Sequence, residues 1–294
     1  MRSCSRETFV PFEESLKKEW LAVNGLGGYA ALSVTGARSR YYHGLLVAAL
    51  TPPVTRLVLL AELREEVLAD GSRHPLWCAR YRKADRIGGL AVLHSLTLDP
   101  VPLYRYLLGG SFLSKTILPV YGKNAVHVSY RWEGETPLVM ELTPLCTWRD
   151  FHGLECKFRP ELAFSPRGTG FLATHPEGGA FSVEADGGQF TLFPEVRYET
   201  GLSYLKEQER GFRGLEDLAV PGQFLLTLNP GERVTITACC AGESVPGFAD
   251  ALAAEERRQA AIVAAAGTAD PDIRRLALAA DKFLVRRAST GTWS

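Results

Sequence analysis

Apolar and polar residues alternate with a period of two along several short segments up to about residue 240. The clearest segment is 125–132, where Val126, Val128 and Tyr130 alternate with polar residues. A period of two places successive side chains on opposite faces of a sheet, so it predicts strands. Similar runs, separated by Gly, Pro or Asp, are 138–142, 181–185, 189–193, 223–228 and 233–238. This rhythm predicts a mainly β fold with one large antiparallel β-sandwich that extends to about residue 245.

Turn residues separate several of these strands. Asp186-Gly187-Gly188 lies between the runs 181–185 and 189–193, and Asn229-Pro230-Gly231 precedes Val234. Such sequences favour the tight turns of β-hairpins, so we predict that each joins two paired strands. Asp70-Gly71 predicts a further strand-turn-strand after the mostly apolar run 54–68.

The composition changes after residue 247. Residues 248–266 are rich in alanine, and Asp270 followed by Pro271 is a typical helix start. Apolar residues then recur at helical spacing up to residue 287, at Ile273, Leu276, Ala277, Ala280, Phe283 and Leu284. We therefore predict a sandwich domain over 1–245 and a helical region over 246–294. A last helix without a partner helix must expose its apolar stripe or pack it on the sandwich, so we expect a truncated helical domain.

Composition argues against several classes of protein. The 294 residues are 46% hydrophobic, which is ample for a packed core and argues against a disordered chain. Lys plus Arg and Asp plus Glu each number 33, and without a long run of one sign they disfavour a nucleic-acid partner. No apolar run reaches the ~18 residues of a membrane span, and the N-terminus lacks the apolar core of a signal peptide. We expect a cytoplasmic protein with no membrane partner.

The six cysteines contain no C-x-x-C pair, and Cys239 and Cys240 are adjacent. This spacing fits neither a zinc site nor a disulfide framework. We expect reduced thiols, several of them buried in strands, with no metal and no cofactor.

The most distinctive stretch is 19–47, which concentrates glycines, aromatic residues and basic residues. Within it, the segment 25–30 satisfies the G-x-G-x-x-A form of the dinucleotide-binding fingerprint. That fingerprint requires a helix at the loop and an acidic residue ~20 positions later. The residues that follow are typical of strand and turn, and no Asp or Glu occurs between Tyr29 and Ala61. We therefore reject a dinucleotide site.

Three segments carry a more specific pattern. They are 19–30, which reads EWLAVNGLGGYA; 40–47, which reads RYYHGLLV; and 149–152, which reads RDFH. Together they resemble the N-terminal domain of the bacterial and archaeal type of glycogen debranching enzymes, which carries E-W-x-x-x-N-G-x-G-G-[YF]-A, R-x-Y-H-G-L-L-V and R-[DN]-[FY]-H. Tyr41 stands where many members have a second basic residue, and a looser likeness continues through 283–287.

This resemblance to the amylo-α-1,6-glucosidase family implies a supersandwich-like N-terminal domain. It implies that 246–294 is a helical linker and the first helix of an (α/α) barrel. The implied enzyme acts on α-1,6 branch points of glycogen or a related α-glucan, with or without 4-α-glucanotransferase activity. Because the family's catalytic acids belong to the barrel, we expect no catalytic residue here. The expected partners are α-glucan, such as glycogen or maltooligosaccharide, and the protein's own C-terminal catalytic domain.

The carboxylates of the chain do not point to a catalytic site by themselves. Glycoside hydrolysis generally needs two carboxylates across the scissile bond. The acids nearest to aromatic or basic residues are Glu19, Glu141, Asp150 and Glu155, and the sequence pairs none of them. Two other functions therefore stay open: a stand-alone carbohydrate-binding sandwich, and a structural domain that never touches glucan.

Sugar binding combines aromatic rings with polar groups that can hold hydroxyls. The candidate substrate-binding residues are Asn24, Arg40, Tyr42, His43, Trp148, Arg149, Asp150 and His152. We predict that their segments meet on one face, and that Arg149→Ala weakens glucan binding with little loss of stability. In the alternative interpretation, Arg40 and Arg149 pair with acids at a domain seam, and the two histidines are hydrogen-bonded core residues.

Overall fold

A computed structural model describes residues 3–51, 55–69, 72–153 and 161–286. The described strands, in chain order, are β1 (Ser3–Cys4), β2 (Glu19–Val23), β3 (Tyr29–Ser33), β4 (Gly44–Thr51), β5 (Thr55–Ala69), β6 (Ser72–Pro75), β7 (Ala79–Arg80), β8 (Asp85–Arg86), β9 (Leu93–Thr97), β10 (Leu103–Leu108), β11 (Ser111–Pro119), β12 (Ala125–Trp132), β13 (Leu138–Asp150), β14 (Ala163–Arg167), β15 (Gly170–Thr174), β16 (Ala180–Ala185), β17 (Gln189–Ser203), β18 (Leu215–Leu228) and β19 (Arg233–Cys240). The helices are α1 (Arg6–Phe9), α2 (Phe12–Ser15), α3 (Leu205–Gln208), α4 (Phe248–Ala265) and α5 (Pro271–Asp281), with a 3-10 helix at Gly88–Ala91.

Two antiparallel sheets form the body of the molecule. The first sheet has the order β1-β9-β10-β11-β12-β19-β16-β15-β14. The second has the order β17-β18-β13-β5-β4-β3-β2, with β6 paired to β5, and β7 and β8 form a separate ribbon. Every pairing among the described strands is antiparallel. The predicted mainly β fold with large antiparallel sheets and C-terminal helices is confirmed.

The main core lies between the two sheets, and a second core covers the outer face of the second sheet. Leu46 and Ala48 of β4 belong to the main core, whereas Val47 belongs to the outer one. Because β4 is buried on both faces, its sequence is an almost continuous apolar run rather than an alternating one. Tyr41 and Phe151 also belong to the outer core, so two of the distinctive segments meet this face.

Both turns that the sequence predicts as hairpins connect the two sheets instead. Asp186-Gly187-Gly188 leads from β16 to β17, and Asn229-Pro230-Gly231 leads from β18 to β19; each pair of strands is divided between the sheets. A chain that reverses between layers needs the same turn residues as a hairpin, and Gly188 and Gly231 both have positive φ (82° and 77°). The predicted pairing of β5 with β6 is confirmed, although Asp70-Gly71 lies outside the described residues.

Two helices follow the sandwich, as the sequence predicts. α4 packs on the first sheet through Phe248 and Ala251, which are buried against Leu118 and its neighbours. The Asp270 side chain accepts the N–H groups of Asp272 and Ile273 and so caps α5, with Pro271 in the first turn. α5 ends at Asp281, earlier than the predicted limit at residue 287, which is itself outside the described residues. No described helix is long and apolar enough to cross a membrane.

The described cysteines are free thiols, and Cys156 lies outside the described residues. Cys78, Cys146 and Cys240 are buried, the last two in strands, as predicted. Burial raises the pKa of the Cys78 and Cys240 thiols to about 12, so both stay protonated and pack as small apolar groups.

Candidate functional site

The loop between β2 and β3 is shaped by its own side chains and glycines. The buried Asn24 side chain accepts a hydrogen bond from the Leu26 N–H (2.9 Å) and donates one to the Lys123 carbonyl (2.8 Å). Gly27 has a φ of 92°, and a Cβ on Gly28 would lie 2.8 Å from the Val47 carbonyl oxygen, so both positions require glycine. Because strand β3 follows directly, the loop lacks the helix that a dinucleotide fingerprint needs. Asn24 therefore fixes the loop backbone.

An aromatic cluster joins this loop to the segments 40–43 and 149–152. The Tyr42 hydroxyl lies 2.8 Å from His152 Nδ1, and the two rings meet edge to face with centroids 5.2 Å apart. Phe151 packs edge-on against Tyr42 and Tyr29, with centroids 5.4 and 6.5 Å away. The Tyr29 hydroxyl donates to the Tyr42 carbonyl at 2.9 Å. The three segments thus converge, as the sequence analysis predicts.

A cleft of about 580 Å³ lies between these residues and the segment that follows α5. Residues 282–285 form one wall, and the Arg286 N–H donates to the Gly25 carbonyl at 2.9 Å, which ties this segment to the glycine loop. The other wall combines aromatic rings with polar groups; its side chains include Glu19, Tyr29, Arg40, Tyr42, His43, Arg56 and Phe151. The cleft is therefore amphipathic, with flat apolar faces beside hydrogen-bonding groups.

Glu19, Arg40 and His43 form the polar part of this cleft. Arg40 Nε donates to Glu19 Oε1 at 2.6 Å, and His43 Nε2 lies 3.8 Å from the same oxygen. The Ser39 N–H donates to His43 Nδ1 at 3.1 Å, and burial lowers the pKa of His43, so the ring is the neutral Nε2–H tautomer. Burial alone would raise the pKa of Glu19, but His43 and Arg40 outweigh it and lower that pKa. At neutral pH a carboxylate thus lies beside a neutral imidazole.

Arg149 lies beneath the 40–43 turn rather than in the cleft. Its Nε donates to Glu216 Oε1, and its Nη2 donates to the Tyr41 carbonyl at 2.7 Å. Arg38 lies 2.9 Å from the same carboxylate and donates from Nε to the His43 carbonyl at 3.0 Å. Burial alone would raise the pKa of Glu216, but Arg149 and Arg38 outweigh it and lower the pKa to about 2. The two guanidiniums therefore hold the turn from its buried side.

Trp148 and Asp150 lie on β13, which extends well beyond the predicted strand 138–142. Trp148 packs on the main core and stacks on His175, with centroids 5.2 Å and planes 13° apart. Asp150 is exposed, and its carboxylate accepts the His152 N–H at 2.8 Å, which stabilises the turn after the strand. Because a strand alternates its side chains, the segment 148–152 is divided: Phe151 faces the cleft and Trp148 does not.

The acids considered from the sequence are dispersed. Of the three that the structure describes, only Glu19 lines the cleft. Glu141 accepts hydrogen bonds from Arg73 (3.1 Å) and Gln223 (2.9 Å), and Asp150 supports its own turn. Glu155 lies outside the described residues.

The family of glycogen debranching enzyme N-terminal domains matches residues 18–235 of this chain. The match covers most of the sequence and includes all three motif segments. The chain belongs to this family. The resemblance seen in the motifs is thereby confirmed.

Several solved structures are similar to this debranching-enzyme domain. A putative kojibiose phosphorylase from the human microbiome is 9% identical, with 82% of this chain and 32% of that one covered and a TM-score of 0.31. A GalM/aldose epimerase homologue from C. elegans is 11% identical, with coverages of 76% and 98% and a TM-score of 0.37. A bacterial glucoamylase complexed with acarbose is 8% identical, with coverages of 95% and 37% and a TM-score of 0.32. The chain spans about a third of the phosphorylase and of the glucoamylase. No curated protein matches it in sequence.

Some residues that line the cleft of this debranching-enzyme domain are not among those predicted from the sequence. Arg56 donates from Nε to the Gly27 carbonyl at 2.5 Å, and its guanidinium lies 5.2 Å from the centre of the Phe151 ring. Its position as a cation directly before the apolar stretch 57–61 is the signal that could have identified it. The wall at 282–285 carries no comparable signal, because its place depends on how α4 and α5 return to the glycine loop.

Proposed function

We propose that this chain is the N-terminal domain of a glycosidase that acts on α-1,6 branch points of glycogen or a related α-glucan. In this proposal a helical domain C-terminal to it carries hydrolysis, with or without transferase activity. Membership of the debranching-enzyme N-terminal family supports the assignment. The observation that carries it is the convergence of the family's motif segments on one cleft, which is closed by the segment that follows α5.

The cleft is proposed as one wall of the glucan-binding surface. Tyr42 and Phe151 offer aromatic faces on which the C–H faces of a sugar can pack. Arg40 and His43 in the cleft, and His152 beside the Tyr42 hydroxyl, offer hydrogen bonds to sugar hydroxyls. Each such contact exchanges for water at a net ~0.5–1.5 kcal/mol, and binding must first offset several kcal/mol of lost freedom. One wall alone is therefore expected to bind maltooligosaccharide with a Kd of ~1 mM or weaker.

The other predicted binding residues have different roles in this proposal. Asn24 and Arg149 support the cleft from inside the fold, since their side chains are engaged with buried backbone groups and with Glu216. Asp150 orients the turn that carries His152. Trp148 belongs to the main core and is not assigned to the glucan.

A purely structural domain is the second candidate function. Leu276 of α5 is 68% exposed and Phe283, just beyond that helix, is 80% exposed. Exposed large apolar residues are typical of surfaces that another element covers. Such a domain would orient the catalytic domain without touching glucan.

The first test measures glucose released from a branched limit dextrin by this chain alone and by a gene product that includes the proposed helical domain. We expect turnover only from the longer protein. In that protein, Arg40→Ala is expected to lower kcat/KM about tenfold, equal to ~1.4 kcal/mol of transition-state stabilisation. Arg105→Ala is the matched control, because Arg105 is 36% exposed and paired with Glu133, much as Arg40 is 32% exposed and paired with Glu19.

Equal kcat/KM values for Arg40→Ala and the parent would favour the structural role. If this chain alone still released glucose after further purification, hydrolysis would not require the helical domain. Asp150 and Glu155 would then be the acids to examine.

A further inference from the structure

His43 brings a hydrogen-bond donor to the cleft. The side chain is only 2% exposed, and its Nδ1 is already engaged by the Ser39 N–H. The remaining ring nitrogen, Nε2, carries the proton of the neutral ring. Its separation of 3.8 Å from Glu19 Oε1 exceeds the range of a hydrogen bond. The separation leaves room for an oxygen that enters between the two groups and makes a hydrogen bond with each.

Glu19 provides the acceptor on the other side of this gap. It is the first residue of β2, the edge strand of the second sheet, and its side chain is 28% exposed. Arg40 donates to Oε1 at 2.6 Å and thereby fixes the orientation of the carboxylate. An oxygen atom ~2.8 Å from both Nε2 and Oε1 fits across their separation, because each contact then has the length of a normal hydrogen bond.

We propose that Glu19 and His43 form a hydroxyl-binding pair that takes one hydroxyl of an uncharged pyranose. The hydroxyl oxygen accepts from His43 Nε2–H, and the hydroxyl proton is donated to Glu19. Tyr42, Tyr29 and Phe151 lie in the same cleft and offer apolar faces to the ring of the same sugar. This inference rests on the proposed glucan-binding function and adds Glu19 to the residues that contact the ligand.

The hydrogen-bonding groups of the pair specify the chemical class of ligand. Glu19 is ionised at neutral pH and His43 is neutral, and Arg40, which donates to Glu19 Oε1 at 2.6 Å, balances the charge of the carboxylate. A hydroxyl satisfies both groups because it accepts and donates at once. We therefore expect a sugar hydroxyl at this position, because an ionised phosphate or carboxylate oxygen accepts hydrogen bonds but has no proton to donate to Glu19.

The test uses the 294-residue chain labelled with ¹⁵N-histidine and with ring-¹³C tyrosine and phenylalanine, and NMR spectra of these rings recorded during titration with maltotriose. We expect His43 to show the neutral Nε2–H tautomer in the free protein, and its Nε2–H signal to shift as maltotriose binds. Acetate, which accepts hydrogen bonds but has no hydroxyl to donate to Glu19, is the charged comparison and is expected to leave this signal unchanged. These signals report on the pair without any substitution, so the test does not depend on a variant that folds.

Glu19→Gln is then titrated in the same way. The amide keeps the size of the side chain but removes the charge-assisted acceptor, so we expect maltotriose to bind about fivefold to tenfold more weakly. Glu133→Gln is the matched control, because Glu133 forms a pair of similar exposure with Arg105 on the first sheet. It is expected to bind with the affinity of the parent.

Two outcomes would overturn the inference in distinguishable ways. If maltotriose shifts the ring signals of Tyr42 and Phe151 but not those of His43, and Glu19→Gln binds as the parent does, the cleft binds saccharide without this pair. The proposed function would then hold, but Glu19 and His43 would not be a hydroxyl-binding pair. If neither the tyrosine nor the histidine signals respond at tens of millimolar maltotriose, the cleft is not a saccharide site and both proposals fall.

Discussion

The two sides of the 40–43 turn differ in their contacts: one side is buried in the fold and the other faces the cleft. On the buried side, Arg38 and Arg149 share the Glu216 carboxylate and hold the carbonyls of Tyr41 and His43. On the cleft side, Arg40 and Tyr42 are partly exposed, and their contacts are single hydrogen bonds to Glu19 and His152. Several ion pairs and hydrogen bonds therefore fix the buried side of the turn, whereas one hydrogen bond holds each of the two side chains on the cleft side. The comparison indicates that stability resides in the first set and ligand contact in the second.

The largest loss of stability is expected when Glu216→Gln neutralises the buried carboxylate. This change leaves Arg38 and Arg149 without their counter-charge at a site that is 1% exposed. Breaking a buried ion pair from one side costs ~3–5 kcal/mol, so we expect a loss of that size in the free energy of unfolding. Equilibrium unfolding in urea measures it, with the linear dependence on denaturant giving the value in water.

Glu133→Gln again provides the control, since an exposed pair contributes only ~0–1 kcal/mol. Equal losses in the two variants would mean that the Arg38–Glu216–Arg149 cluster is not the stabilising side of the turn.

Acid should weaken the buried groups of the fold in two steps. Burial lowers the pKa of His43 and of His127, so protonation favours the unfolded state and stability falls as the pH drops below about 6.5. The pKa of Glu216 is lowered from 4.5 to about 2, so its contribution is complete above pH 4.5 and is lost between pH 4.5 and 2, about 3 kcal/mol in all. Glu62 acts in the opposite direction, because burial raises its pKa and acid relieves its charge.

Urea midpoints at pH 7.5, 5.5, 4 and 3 measure this dependence. We expect a decline over the whole series, with the steeper part below pH 4.5. A midpoint that stays constant down to pH 3 would show that the clustered charges titrate as freely in the folded protein as in the unfolded chain.

The sequence predicts the sheets better than it predicts how they connect. Period-two alternation identifies strands such as β12, because Val126, Val128 and Tyr130 meet the main core on one face whichever strand lies beside them. The turns at 186–188 and 229–231 look like hairpins, because a crossing between layers uses the same glycines. The sheet that each strand joins depends on contacts between residues far apart in the sequence, and a local pattern does not contain that information.

For the candidate site, too, one part could be predicted from the sequence and another could not. The motif segments converge, so the location of the cleft could be predicted from the residues that carry the family pattern. The direction of each side chain could not, because Arg149 is drawn inward by Glu216, a residue 67 positions away with no motif around it. The expectation that Arg149→Ala costs little stability is therefore revised: the structure predicts a large loss, since Glu216 would lose one of its two cations.

The smallest expected effects come from two variants that each remove one tyrosine hydroxyl, one on the buried side of the turn and one on the cleft side. The Tyr204 hydroxyl donates to Glu216 in the buried cluster, whereas the Tyr42 hydroxyl contacts His152 at the cleft. Tyr204→Phe leaves a buried charge short of a donor, so we expect it to lower the free energy of unfolding by ~1–3 kcal/mol. Tyr42→Phe leaves groups that water can reach, so its cost should be below ~1 kcal/mol. Urea unfolding of the two variants beside the parent measures both losses in the free energy of unfolding. Equal losses, or a larger loss for Tyr42→Phe, would mean that the cleft side of the turn stabilises the fold as much as the buried side does. That result would weaken the case that the cleft side contacts a ligand.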